Sequence, residues 1–112
     1  MSKILIVDDH SIVRTGIKML LEGQPDVFAD EADDGRAALN LIKDRKYDLM
    51  LLDINMPGMD CDQLINAVSG VDPDLSILIF SMNEEELFAR HYLKLGVKGF
   101  LSKRSPPDEI IY

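Results

Sequence analysis

At 112 residues, with 46% hydrophobic and 29% charged side chains, the chain has the size and balance of one globular domain and lacks the polar bias of a disordered segment. Its net charge of -8, from 20 acidic and 12 basic residues, argues against a nucleic-acid surface on this domain itself, because phosphate binding needs clustered Lys and Arg. The longest apolar runs are four residues, too short for a membrane span, and no charged-then-apolar leader opens the chain, so the expectation is a cytoplasmic protein with no membrane partner.

Ile4 to Val7 is an unbroken apolar run, the pattern of a strand covered on both faces, and it ends on Asp8 and Asp9. Val13, Ile17, Leu20 and Leu21 recur at helical spacing and predict a first helix that buries that face. Val27 to Ala32 is a weaker strand, after which Asp34-Gly35 turns into a second helix with Ala37, Ala38, Leu41 and Ile42 on one face. Leu49 to Leu52 is the next apolar run, and it ends on the charge of Asp53. Asp60 can cap a third helix carrying Leu64, Ile65 and Val68.

Ile77 to Phe80 is a fourth strand ending on Ser81. Glu84, Glu85 and Glu86 suit the positive start of a fourth helix, whose inward face is Leu87, Phe88, His91, Tyr92 and Leu95 and whose natural stop is Gly96. Lys98 to Ser102 is the last strand, followed by Lys103. Ser105, Pro106 and Asp108 then begin a fifth helix that is cut off almost at once. The single cysteine, Cys61, has no thiol partner and reads as an incidental small residue.

Strands alternating with helices predict an α/β fold, a doubly wound five-stranded parallel sheet with right-handed crossovers. Such sheets gather functional groups beyond the carboxyl ends of their strands. Taken singly, an acidic pair at a strand end is a turn or cap, a Ser is a cap and a Lys is solvated surface. Together, Asp8, Asp9, Asp53, Ser81 and Lys103 stand at equivalent ends of one sheet. Carboxylates about 5 Å apart repel by roughly 3 kcal/mol per pair at an effective dielectric near 20, and a hard divalent cation, Mg²⁺ or Mn²⁺, offsets that. A cation, a hydroxyl donor and an ammonium make a phosphoryl-binding constellation, with Asp53 placed as nucleophile.

The stretches ILIVDDH at 4 to 10, LLDINMPGMD at 51 to 60, IFSMN at 79 to 83 and GFLSK at 99 to 103 resemble the receiver domain of bacterial two-component response regulators. The resemblance covers the whole chain, and the joint spacing, 22 residues from Ser81 to Lys103 included, is specific. It implies the flavodoxin-like strand order 2-1-3-4-5. It also implies that Asp53 accepts a phosphoryl group from a sensor histidine kinase or a small acyl phosphate. The cation would be held by Asp9 and Asp53 with the backbone carbonyl of Asn55, and by Asp8 through water. Ser81 would bond a phosphoryl oxygen and Lys103 would pair with the group as a point charge. Phe100, where many members have Tyr, would turn with Ser81 as a switch, or else serve as plain core. Pro57 and Gly58 fit the family's turn; Asn55 and Asn83 occupy positions that tune how long the phosphoryl group survives.

One departure stands out. The family usually has Pro after the lysine, often with a cis peptide, whereas Arg104 follows here, and a cis bond before a non-proline residue costs about 2.5 to 4 kcal/mol. GFLSKRSPPDEI together with DDHSIVRTGI resembles the subgroup with a LuxR-type helix-turn-helix output domain. Residues 1–112 are therefore expected to be a receiver domain excised from a longer regulator, switching its own C-terminal output domain and hence transcription, with self-association as a homodimer a further expectation. The chain is not expected to be an enzyme beyond self-directed phosphoryl transfer and autodephosphorylation. The alternative is a pseudo-receiver, an interaction module that is not phosphorylated; such modules normally lack one of Asp9, Asp53 or Lys103, and all three are present. A flavin-binding or hydrolytic enzyme would need a Gly-rich or Ser/Thr-rich loop where VDDHS stands. A haloacid-dehalogenase-type phosphatase would need an acid/base Asp where this chain has Asn55.

Overall fold

The computed structural model of the chain describes residues 2–53, 60–81 and 94–102. Among the described residues, five strands, β1 (Ser2–Val7), β2 (Val27–Ala32), β3 (Leu49–Leu52), β4 (Ser76–Ser81) and β5 (Gly99–Ser102), alternate with three helices, α1 (Ser11–Glu22), α2 (Gly35–Asp44) and α3 (Cys61–Val71). All pairings are parallel, in the order β2-β1-β3-β4-β5. This is the doubly wound sheet that the alternation predicts.

The unbroken apolar runs are explained by two cores, one on each face of the sheet. Alternate residues of a strand point to opposite faces. Leu5 and Val7 of β1, Met50 and Leu52 of β3, and Ile77 and Ile79 of β4 face α2 and α3, where they meet Ala38, Ile42, Leu64, Ile65 and Val68. The intervening Ile4 and Ile6, Leu51, and Phe80 face the other way and pack with Ile17 and Leu21 of α1. Because both faces are dry, no polar residue can alternate with the apolar ones. The sheet's first edge shows the opposite case: β2 is only partly covered, and Asp30 and Glu31 sit in it with Phe28 exposed.

The expected face of α1 needs one correction. Ile17 and Leu21 are buried and Val13 is half-buried, but Leu20 is exposed. Relative to Ile17, at 100° per residue, Val13 and Leu21 lie about 40° to either side, whereas Leu20 lies about 60° away and falls off the edge of the stripe. The helix starts agree with the expectation. Asp34 caps α2 by accepting from the Ala37 amide at 2.7 Å, and Asp60 caps α3 by accepting from the Gln63 amide at 3.2 Å.

Gly96 has a φ of 100°, a left-handed conformation open to glycine and strained for other residues, as suits a residue that stops a helix. Val97 beyond it is buried in the α2–α3 core. The rest of the expected fourth helix, the expected fifth-helix start, the NMPG stretch, Asn83 and the peptide before Arg104 lie outside the described residues.

At the amino ends of the strands, Tyr47 is buried and donates its hydroxyl to Asp30 Oδ2, which also accepts from Arg45 Nη1 at 3.0 Å. This ties the start of β3 to the edge strand β2, on the side of the sheet away from the acidic strand ends. Burial, followed by the neighbouring Asp30 carboxylate, pushes the Tyr47 phenol up to about 12.

Candidate functional site

Register brings the acidic residues together. Val7 pairs with Ala32 on one side and with Leu52 on the other, so β1 and β3 end at the same level. The ladder continues one step further: Asp8 donates its amide to Ala32 O at 3.1 Å, and Asp53 donates its amide to Val7 O at 2.9 Å. Asp8 and Asp53 are therefore the first residues beyond neighbouring strands, and both are 1% exposed. Asp9 follows, exposed at the rim.

Asp8, Asp9, His10 and Asp53 each present a ligand atom, and these atoms lie within 4.8 Å of one another. His10 is the N-cap of α1, yet its side chain makes no capping bond. Its Nδ1 instead lies 3.1 Å from Asp8 Oδ1 and 2.9 Å from Asp9 Oδ1, while its amide donates to Asp8 Oδ1 at 2.9 Å. The histidine closes the loop over the buried carboxylate. A set of three carboxylates in this volume suits a hard cation with oxygen ligands, and the imidazole adds a nitrogen donor at the rim.

The backbone of Asp53 is backed by α3. Cys61, at its first turn, is buried, and its Sγ donates to the backbone oxygen of Asp53 at 3.9 Å. Burial, and after it the charges of Asp53, Asp62 and Asp60, push the Cys61 thiol up to about 12. It is a neutral spacer under the acidic residue and has no nucleophilic character near neutral pH.

Of the other expected site residues, Ser81 ends β4, two residues beyond Ile79, the partner of Leu52; it pairs with Ser102, the residue before Lys103. Phe100 pairs with Ile79. The side chains of Ser81 and Phe100, and the whole of Asn55 and Lys103, lie outside the described residues. Two residues that the strand-end rule passes over join the cluster or its support. His10 reads in the sequence as a surface or helix-start residue, and its position directly after an acidic pair was the available signal. Arg14, one turn into α1, donates from Nη1 to the backbone oxygen of Asp8 at 2.6 Å, and no local sequence pattern announces it.

The sequence matches the family described as the response regulator receiver domain over residues 4–112. The oxygen regulatory protein NreC of Staphylococcus epidermidis is 37% identical over 111 residues, which are 97% of this chain and 51% of that protein. Among solved structures, the signal receiver domain of NarL from Mycobacterium tuberculosis is 38% identical with a TM-score of 0.87, over 98% of this chain and 90% of that one. A LuxR-family two-component response regulator from Aurantimonas sp. SI85-9A1 is 32% identical with a TM-score of 0.90, over 99% and 80% of the two chains. The chain spans about half the length of the curated relatives it matches.

Proposed function

This chain belongs to the response regulator receiver family, and we propose that Asp53 is its phosphoacceptor, served by a divalent cation held at Asp8, Asp9 and Asp53. The observation that carries the reading is the convergence of those carboxylates within 4.8 Å at the ends of β1 and β3. The donor set fits Mg²⁺ or Mn²⁺: carboxylate oxygens, one pair deeply buried and one at an open rim where waters and a phosphoryl oxygen have access. Bound there, the cation would neutralise the acidic cluster and the equatorial charge of an incoming phosphoryl group.

The chain's own residues then divide the work. A carboxylate oxygen of Asp53 forms the new O–P bond, while the P–N bond of a donor phosphohistidine, or the P–O bond of an acyl phosphate, breaks. The strand ladder beneath Asp53 and the buried wall at Cys61 hold the attacking carboxylate in place. Ser81, at the end of the neighbouring strand, would bond a phosphoryl oxygen, Lys103 would supply the opposing positive charge, and the Asn55 carbonyl would help to hold the cation. Phosphorylation adds about -1.5 to -2 charges at one point, and Ser81 and Phe100 relay it to the surface.

On this reading the phosphoryl donor is a sensor histidine kinase, and the responding element is a C-terminal output domain that regulates transcription in the cytoplasm. The similarity to NreC and to a LuxR-family regulator supports that assignment. The test is to incubate the chain with Mg²⁺ and acetyl phosphate and to follow its mass, together with the amide shifts of Asp53 and Ser81. One phosphoryl group is expected on the wild type and none on Asp53→Asn. An unmodified wild type, unshifted by beryllofluoride as well, would make the chain a phosphorylation-independent interaction module.

A further inference from the structure

Arg14 holds the acidic loop from behind. Its side chain is largely covered, at 17% exposure. Nη1 donates to the backbone oxygen of Asp8 at 2.6 Å and Nε donates to Glu31 Oε1 on β2 at 3.2 Å. Glu31 is in turn approached by Lys18 of α1, with Nζ 3.6 Å from Oε2. The loop between β1 and α1 is only Asp8, Asp9 and His10. Its entry is fixed by the bond from the Asp8 amide to Ala32 O, and its exit by the bond from the Arg14 amide to His10 O. Between these points, the Asp8 carbonyl belongs to the peptide unit that carries Asp9, so rotating that unit re-aims the Asp9 carboxylate.

We infer that Arg14 is a positioning residue for the cation site, clamping the Asp8–Asp9 peptide so that both carboxylates face Asp53, with Glu31 and Lys18 bracing the clamp from β2 and α1. This rests on the reading of the pocket as a cation site. On charge alone, a guanidinium beside such a site weakens it. Glu31, shared with Lys18, offsets only part of that charge, so a favourable effect of Arg14 on the cation site must come from its directed hydrogen bond. The planar fork addresses Glu31 and the Asp8 carbonyl together, and a Lys ammonium, as a point charge, does not reproduce it.

The experiment titrates Mg²⁺ into this 112-residue chain and follows the amide shifts of Asp9 and His10 in wild type, Arg14→Gln, Arg14→Lys and Glu31→Ala. Affinity is expected to fall about tenfold in both Arg14 variants, the order found when a group supporting a metal ligand is removed, even though Arg14→Gln has lost a repelling charge. Glu31→Ala should weaken binding less, and adding it to Arg14→Gln should weaken it no further, because the two act as one unit. Tighter binding in Arg14→Gln with unchanged binding in Arg14→Lys would overturn the inference, since charge alone would then explain the residue. Metal-free amide shifts that spread from the loop into the α2–α3 core would also overturn it, by making Arg14 a support of the fold. A wild type that binds Mg²⁺ no differently from the Arg14 variants refutes the clamp and leaves the cation site standing, whereas a wild type with no Mg²⁺ response refutes both.

Discussion

Removing the Asp53 charge should cut the stabilisation that Mg²⁺ confers on the fold. The ligand atoms of Asp8, Asp9 and Asp53 lie within 4.8 Å of one another, so at an effective dielectric near 20 each pair of charges repels by about 3 kcal/mol, and by less where Asp9 meets water. Asp53→Asn deletes the two repulsions that involve Asp53 and one of the three anionic ligands of the proposed site. At a Mg²⁺ concentration of about 100 times its Kd, a cation that binds only the folded state adds about 2.7 kcal/mol. If Asp53→Asn weakens binding about tenfold, the same Mg²⁺ adds only about 1.4 kcal/mol to the variant, a loss of about 1.3 kcal/mol. For a domain near 100 residues that is a difference of about 5 to 10 °C in the Mg²⁺-induced rise of Tm. The assay is four thermal melts, each chain with and without Mg²⁺, read as a difference of differences so that any other effect of the substitution on the fold cancels. Equal Mg²⁺-induced rises in the two chains would refute Asp53 as a member of the cation site.

Three further outcomes are expected. Tyr47 is protonated in the fold up to about 12 against an ordinary value of 10.0, so its contribution is fully present below pH 10 and is lost as pH rises through about 12; Tyr47→Phe should flatten that part of the stability profile, as read by denaturant melts at stepped alkaline pH. Cys61, pushed up to about 12 and buried, should resist a maleimide in the native chain near neutral pH and react once the chain is unfolded in urea; equal rates in both states would show that the wall under Asp53 is open. Gly96→Ala places a side chain at a φ of 100° and should cost about 1 to 2 kcal/mol, seen as a lower urea midpoint at unchanged slope, although among the described residues no atom lies within 4 Å of the new methyl group.

Much of the fold was readable from short windows because the signals that carried it are local. A run such as Leu49 to Leu52 can be wholly apolar only if both faces of its strand are covered, and the buried side chains of β3 divide between two cores in just this way. Capping is equally local: Asp34 and Asp60 bond amides three residues on, and both were legible as helix starts. Leu20 was misplaced because helical spacing defines a stripe but not its width, which depends on how closely α1 lies against β1 and β2. His10 and Arg14 were passed over for a related reason. Each acts through a contact with Asp8 whose geometry depends on how the β1–α1 loop folds back on itself, and the brace on Arg14 comes from Glu31, 17 residues further along the chain.

The sequence by itself determined that five strands alternate with helices, that acidic residues end two of those strands, and that their types suit a hard cation and a phosphoryl group. Those properties follow from side-chain chemistry and from periods of two and 3.6 residues, which need no knowledge of distant contacts. Only the tertiary structure decided that Asp8 and Asp53, 45 positions apart, become first neighbours beyond one pair of strands, because parallel register is set by packing on both faces of the sheet. It also decided that the loop bearing Asp8 and Asp9 is clamped by an arginine anchored on the edge strand. A guanidinium can bridge a carbonyl and a carboxylate only after β1, β2 and α1 have assembled around it.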